Sequence, residues 1–207
     1  MFDRRIRQAT GPSLDAVGRR LARFGIRPAA LTGVGWLLGV GACLAAAGRV
    51  WPVALVLWLA NRVFDGLDGP VARAVGATDR GGFLDIVADF SIYAGFIVGV
   101  AIGLPQARLA CVVLLFAYYV SGTAFLALSS VLERRGSSET DGRSLRFVGG
   151  LAEGAETILV YVLICLMPGS AATIAWAFAA VVGITAVQRI VIGTRLLTVS
   201  RKNDENT

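Results

Sequence analysis

Residues 61–93 read NRVFDGLDGPVARAVGATDRGGFLDIVADFSIY, a stretch that leaves one apolar run and enters another with four aspartates on the way, Asp65, Asp68, Asp85 and Asp89. A helix turns by about 100° per residue, so residues three or four apart share a face. Asp65 and Asp68 therefore lie together with Asn61, Gly69 and Ala72, and Val63, Leu67, Pro70 and Ala74 lie opposite. On the following segment Asp85 and Asp89 share a face with Gly81 and Ala88. Only the short Gly76 to Gly82 connection separates the two segments, so the spacing predicts antiparallel neighbours whose polar faces meet. Glycine and alanine on those faces permit close approach of the helices or leave room for a ligand.

Outward from this stretch the chain is a series of apolar runs, at roughly 29–48, 51–72, 84–104, 109–131, 148–168 and 171–193. Each is near the ~20 residues that cross a bilayer as a helix. Of the 207 residues 56% are hydrophobic and 16% charged, and mean hydropathy is +0.68, too apolar for an ordinary soluble domain. Runs this long exclude the short alternating strands of a barrel. The expected fold is all-α: a polytopic membrane protein with six transmembrane helices and an N-terminal juxtamembrane amphipathic helix. Its expected organisation is a cytoplasmic juxtamembrane segment 1–28, a catalytic membrane domain 29–195 and a cytoplasmic tail 196–207. In the leader Ile6, Leu14, Val17, Leu21 and Phe24 recur at helical spacing among Arg19, Arg20 and Arg23. This suits a helix lying along the membrane surface, interrupted near Gly11 and Pro12; a solvated basic leader is the other reading. Ala45-Ala46-Ala47 has the look of a cleavage site, but an uncleaved first span reads better after so long a charged region.

The basic residues orient the spans. If the N-terminus is cytoplasmic, only Arg49 and Arg108 of the 20 fall on the far side. The positive-inside rule then places both termini, and the four aspartates, in the cytoplasm. The net charge of +6 is thus topological, and nucleic acid is not an expected partner. All but Lys202 of these residues are arginine, which hints at a GC-rich bacterial source and hence the bacterial inner membrane. Histidine is absent, which removes imidazole both as acid or base and as metal ligand. Cys43, Cys111 and Cys165 lie apart in apolar runs and read as packing residues.

Four carboxylates at a membrane edge repel one another, and each is costly in the hydrocarbon region even alone. Cations must offset this. Oxygen-only ligands select magnesium or manganese rather than zinc, and two such ions would balance four carboxylates and bridge a diphosphate. The competing reading is that the aspartates only pair with Arg62, Arg73 and Arg80.

The pattern Asp65-x2-Asp68-Gly69-x2-Ala72-Arg73-x7-Gly81-x3-Asp85-x3-Asp89 resembles the signature of the CDP-alcohol phosphotransferases, or phosphatidyltransferases. Eight residue identities at fixed spacings carry that resemblance, and the six-span layout extends it over most of the chain. It implies phospholipid biosynthesis: CDP-diacylglycerol as donor, an alcohol that attacks the phosphate next to the lipid, and CMP as leaving group. It implies Asp65, Asp68 and Asp85 as metal ligands, and Asp89 as the base that takes the hydroxyl proton and also touches metal. Asp68, Gly69, Ala72, Arg73 and Gly81 would form the nucleotide site, and a homodimer is implied as well. One departure is visible. Where many members have Pro-Asn before the first span, this chain reads Pro28-Ala29-Ala30-Leu31-Thr32.

Acceptor recognition is the least determined. Glu153 and Glu156, beside Thr157, are acids inside the fifth run, and suit either acceptor hydroxyls or an amine, or hydrogen bonds between helices. Arg143 and Arg146 precede that run; the resemblance implies a phosphate-binding role for such arginines, and plain positive-inside anchoring is the alternative. Two other functions compete: a transferase joining a soluble CDP-alcohol to diacylglycerol, and a divalent-cation transporter. A transporter would place its acids near the midplane and often shows internal repeats, whereas these acids sit at helix ends and no repeat is visible.

Overall fold

The computed structural model describes residues 2–134 and 154–204, with side chains for residues 11–134 and 154–198. Every regular element among them is helical: α1 (Phe2–Arg23), α2 (Pro28–Ala47), α3 (Trp51–Val75), α4 (Asp79–Gly103), α5 (Arg108–Arg134), α6 (Gly154–Leu166) and α7 (Ala171–Asp204). Single 3-10 turns, Pro105–Ala107 and Pro168–Ser170, lead into α5 and α7. The sequence marks these boundaries in recognisable ways. Pro28, Pro52, Pro105 and Pro168 all sit in a first turn, where a missing N–H costs nothing. Helix α3 stops at Gly76, whose φ of 103° suits glycine and few other residues. Thr78 then starts α4, its Oγ1 accepting the Gly81 N–H at 3.1 Å.

Among the described residues four segments are long and apolar enough to cross a membrane: Pro28–Ala47, Asp79–Gly103, Pro105–Arg134 and Pro168–Thr198. Helix α3 has the length, at 25 residues, but carries Arg62, Asp65, Asp68 and Arg73. The described part of α6 is 13 residues, shorter than a span. In one respect the expected layout is corrected. Helix α1 is not interrupted at Gly11 and Pro12 but runs continuously through them. Proline removes a single backbone donor and bends a helix more readily than it ends one.

Small residues set the packing. Helix α2 lies against both α3 and α4. Gly99 and Gly103 of α4 abut the backbone carbonyls of Cys43 and Ala46, and Gly39 of α2 abuts the Ile92 side chain. A Cβ at any of the three would collide, so these glycines bring the helices into backbone contact. Helix α5 packs along α7, and α1 lies against α3. The interior holds a cluster of aromatic rings. Phe96 stacks on Tyr161 at 4.7 Å between centroids, and Trp58 lies 4.8 Å from the same ring. The Tyr161 hydroxyl donates to the Tyr93 carbonyl at 2.7 Å. Large apolar side chains also face outward: Leu37, Leu44, Leu109 and Phe116 are each more than 60% exposed. Such a surface is one that lipid would cover. The cysteines are free and at least half-buried, as packing residues should be.

Candidate active site

The aspartates sit where α3 ends and α4 begins. Asp65 and Asp68 project from the last three turns of α3, and Asp85 and Asp89 from the first three of α4. The Gly76 turn and the Thr78 cap reverse the chain between them, so the expected meeting of polar faces occurs. Asp65 faces Asp89, and Asp68 faces Asp85. All four line one cleft, together with Thr32, Gly35, Trp36, Asn61, Arg62, Ala88 and Ile92.

Helix α2 supplies the third wall. Thr32 Oγ1 lies 2.8 Å from Asp68 Oδ2 and 3.2 Å from the Pro28 carbonyl, and the buried carboxylate is the stronger acceptor. Asn61 donates to the Gly35 carbonyl at 2.8 Å. Trp36 Nε1 donates to Ser91 Oγ at 3.0 Å, which ties α2 to α4 just beside the cleft.

Arginine pairing is selective. Arg62 Nη1 lies 2.9 Å from Asp89 Oδ1 and 3.5 Å from Asp65 Oδ2. Arg73, at the end of α3, pairs instead with Asp15 of α1 at 2.7 Å. Among the described residues no arginine ion-pairs with Asp68 or Asp85. Pairing with arginine therefore accounts for half of the cluster, with one guanidinium among four carboxyl groups in the cleft.

A divalent ion fits this donor set in kind. The ligands are all oxygen, they are charged, and they face one another from two rigid helices, as hard cations require. Among the described residues no three acidic or thiol side chains converge on one point. The carboxylates stand as two facing pairs, with Arg62 drawn onto one of them.

The other expected residues fall around this centre. A Cβ on Gly69 would meet only Arg73 Nη1, at 3.5 Å, so the surface there is open to a ligand. Ala72 is half-buried, and Gly81 lies exposed in the first turn of α4. Pro70, on the face opposite the aspartates, is buried against Gly18 of α1. Of the acceptor candidates, Arg143, Arg146 and Glu153 lie outside the described residues. Glu156 stands in the first turn of α6 and is not part of the cleft wall. Two contributors were not singled out from the sequence. Thr32 lies 36 positions before Asp68, and Tyr93 accepts from Arg62 at 2.8 Å from a full turn beyond Asp89. The threonine's place after Pro28 was the available signal for the first; for the second it was the interval of four that puts Tyr93 on the face of Asp85 and Asp89.

Comparison with known proteins identifies the family. Residues 26–191 match the family model for CDP-alcohol phosphatidyltransferase. The chain is 41% identical over 194 residues to the inner membrane protein YnjF of Escherichia coli, covering 92% of this chain and 94% of that one. It is 33% identical over 100 residues to an archaetidylinositol phosphate synthase of Pyrococcus horikoshii, about half of each chain (48% and 53%). The fold resembles the phosphatidylinositol phosphate synthase of Mycobacterium tuberculosis. Against its crystal structure with CDP-DAG bound the TM-score is 0.68, at 21% identity over 87% of this chain and 92% of that one. Against its complex with manganese and citrate the TM-score is 0.70, at 22% identity over 87% and 88%. With the motif spacing, the facing aspartates and a family match over most of its length, the chain belongs to the CDP-alcohol phosphatidyltransferase family.

Proposed function

We propose that this protein transfers a phosphatidyl group from CDP-diacylglycerol to an alcohol, releasing CMP, at the cytoplasmic face of a bacterial inner membrane. The observation that carries the reading is the placement of Asp65, Asp68, Asp85 and Asp89, in the family spacing, on facing walls of one cleft. A relative crystallised with CDP-DAG supports the lipid donor, and a relative named as an inner membrane protein supports the location. In this reading α3 and α6 complete six spans. The arginine-rich leader and tail then face the cytoplasm.

In the reaction the acceptor oxygen forms a bond to the lipid-linked phosphorus. The bond from that phosphorus to the bridging oxygen of the diphosphate breaks, and CMP departs with the electron pair. Asp65, Asp68 and Asp85, with Asp89 at the edge, would hold magnesium or manganese, which when bound neutralises the diphosphate. Asp89 takes the hydroxyl proton, as its place in the family spacing implies; its side chain is about one-third exposed and so open to an acceptor. Gly69 and Ala72 let the nucleotide approach α3, and Arg73, exposed at the helix end, is within reach of its phosphates.

The test is CMP release by the purified full-length chain in detergent, given CDP-diacylglycerol, a panel of alcohols and either magnesium, manganese or chelator. Release is expected with at least one alcohol, to be abolished by chelator and restored by either metal. Full activity in metal-free buffer, or no release with any alcohol while the protein binds neither metal nor CDP-lipid, would overturn the reading.

A further inference from the structure

Arg62 is held more completely than any other charged side chain in the cleft. It is 7% exposed. Its Nε donates to Asn61 Oδ1 at 2.8 Å, and Asn61 in turn donates to the Gly35 carbonyl. Its Nη1 reaches Asp89 Oδ1 at 2.9 Å and the Tyr93 hydroxyl at 2.8 Å. The guanidinium lies over the rings of Trp58 and Tyr93, 4.8 Å from each centroid. Aromatic faces and a hydrogen-bonded amide thus fix a cation that does not lose its proton in proteins.

We propose that Arg62 is the resident counter-ion of the aspartate cluster and a positioning residue for the transfer. It grips Asp89 through Oδ1 and so fixes how that carboxylate is turned toward the acceptor hydroxyl. Its fixed positive charge also limits how tightly the cluster holds divalent cations, which keeps the aspartates from trapping an ion between turnovers. The inference rests on the transferase reading above. A purely structural arginine, tying α3 to α4, would also lose stability on substitution, but its loss would not tighten metal binding.

Direct manganese binding, read from the paramagnetic resonance of the free ion, separates these roles, alongside CMP release by the same full-length preparations. Arg62→Gln removes the charge: the manganese dissociation constant is expected to fall at least about tenfold, from the charge change at this range in a partly buried site. Its turnover at saturating substrate should fall about tenfold or more, because Asp89 is no longer oriented. Arg62→Lys keeps the charge and loses the fork, so manganese affinity should stay within about threefold of native while turnover drops about tenfold. A folded Arg62→Gln chain that binds manganese no more tightly than native overturns the proposal. If that variant does not fold, Arg62→Lys decides: native turnover overturns it, and slowed turnover at native manganese affinity supports it. A native chain that binds no manganese would instead sink the transferase reading itself.

Discussion

Thr32 of α2 donates through Oγ1 to Asp68 Oδ2 of α3 at 2.8 Å, and so ties the one buried aspartate of the cluster to a helix outside the motif. Asp68 has no arginine partner among the described residues; this hydroxyl is its hydrogen-bond donor from α2, beside the Gly69 backbone and the Asp85 carboxyl. A buried carboxylate that loses its donor pays the desolvation of its charge without return.

Thr32→Val keeps the shape and removes the hydroxyl. In chelator the variant should be destabilised by about 1–3 kcal/mol relative to native, and Thr32→Ser by well under that. Saturating magnesium should narrow the gap, since an ion held by Asp68 in the folded state would compensate that carboxylate in place of the lost hydroxyl. Thermal unfolding in detergent, with and without magnesium, measures both effects. Equal midpoints for Thr32→Val and native in chelator would show that the bond carries no weight.

Much of the centre is legible from spacing alone. Intervals of three and four put Asp65 with Asp68 and Asp85 with Asp89, and the short Gly76 to Gly82 connection leaves only an antiparallel pairing. Spacing does not say which arginine goes where. Arg62, Arg73 and Arg80 are all near the aspartates in sequence. Yet Arg62 reaches Asp89 on the next helix, 27 positions on, and Arg73 reaches Asp15, 58 positions back. Those choices depend on how α1, α3 and α4 cross, which is set by contacts such as Gly18 on Pro70. The same limit explains α1. Local rules place a break at Pro12, whereas packing along α3 carries the helix through it.

That crossing gives a second test. A Cβ built on Gly18 would stand 2.5 Å from Pro70 Cβ and 2.7 Å from the Pro70 carbonyl carbon, so even alanine forces α1 away from α3. Asp15 would then leave Arg73, whose pairing at 2.7 Å is made across the same interface. The pair is exposed, so its own contribution to stability is at most about 1 kcal/mol. The consequence should appear in donor binding. For Gly18→Ala the KM for CDP-diacylglycerol is expected to rise about threefold to tenfold with kcat within about twofold of native. Asp15→Asn should give a smaller shift in the same direction. Unchanged KM in both would mean that α1 does not position Arg73.

The last test separates the aspartates by role. Asp68 is buried, faces Asp85 and is tied to Thr32; Asp89 is about one-third exposed and is gripped by Arg62 through a single oxygen. Asp89→Asn keeps the size and one acceptor oxygen but cannot take a proton. It should leave CDP-lipid affinity within about threefold of native and cut turnover by about 100-fold or more, the span assigned to a general base. Asp68→Asn removes a ligand charge, so metal and nucleotide affinity should fall together and turnover should recover in part as magnesium is raised. Nucleotide affinity and turnover, measured for both variants across a magnesium series, distinguish the two patterns. Full restoration of Asp89→Asn turnover by excess magnesium would make Asp89 a ligand like the others, and the proton acceptor would have to be sought elsewhere in the cleft.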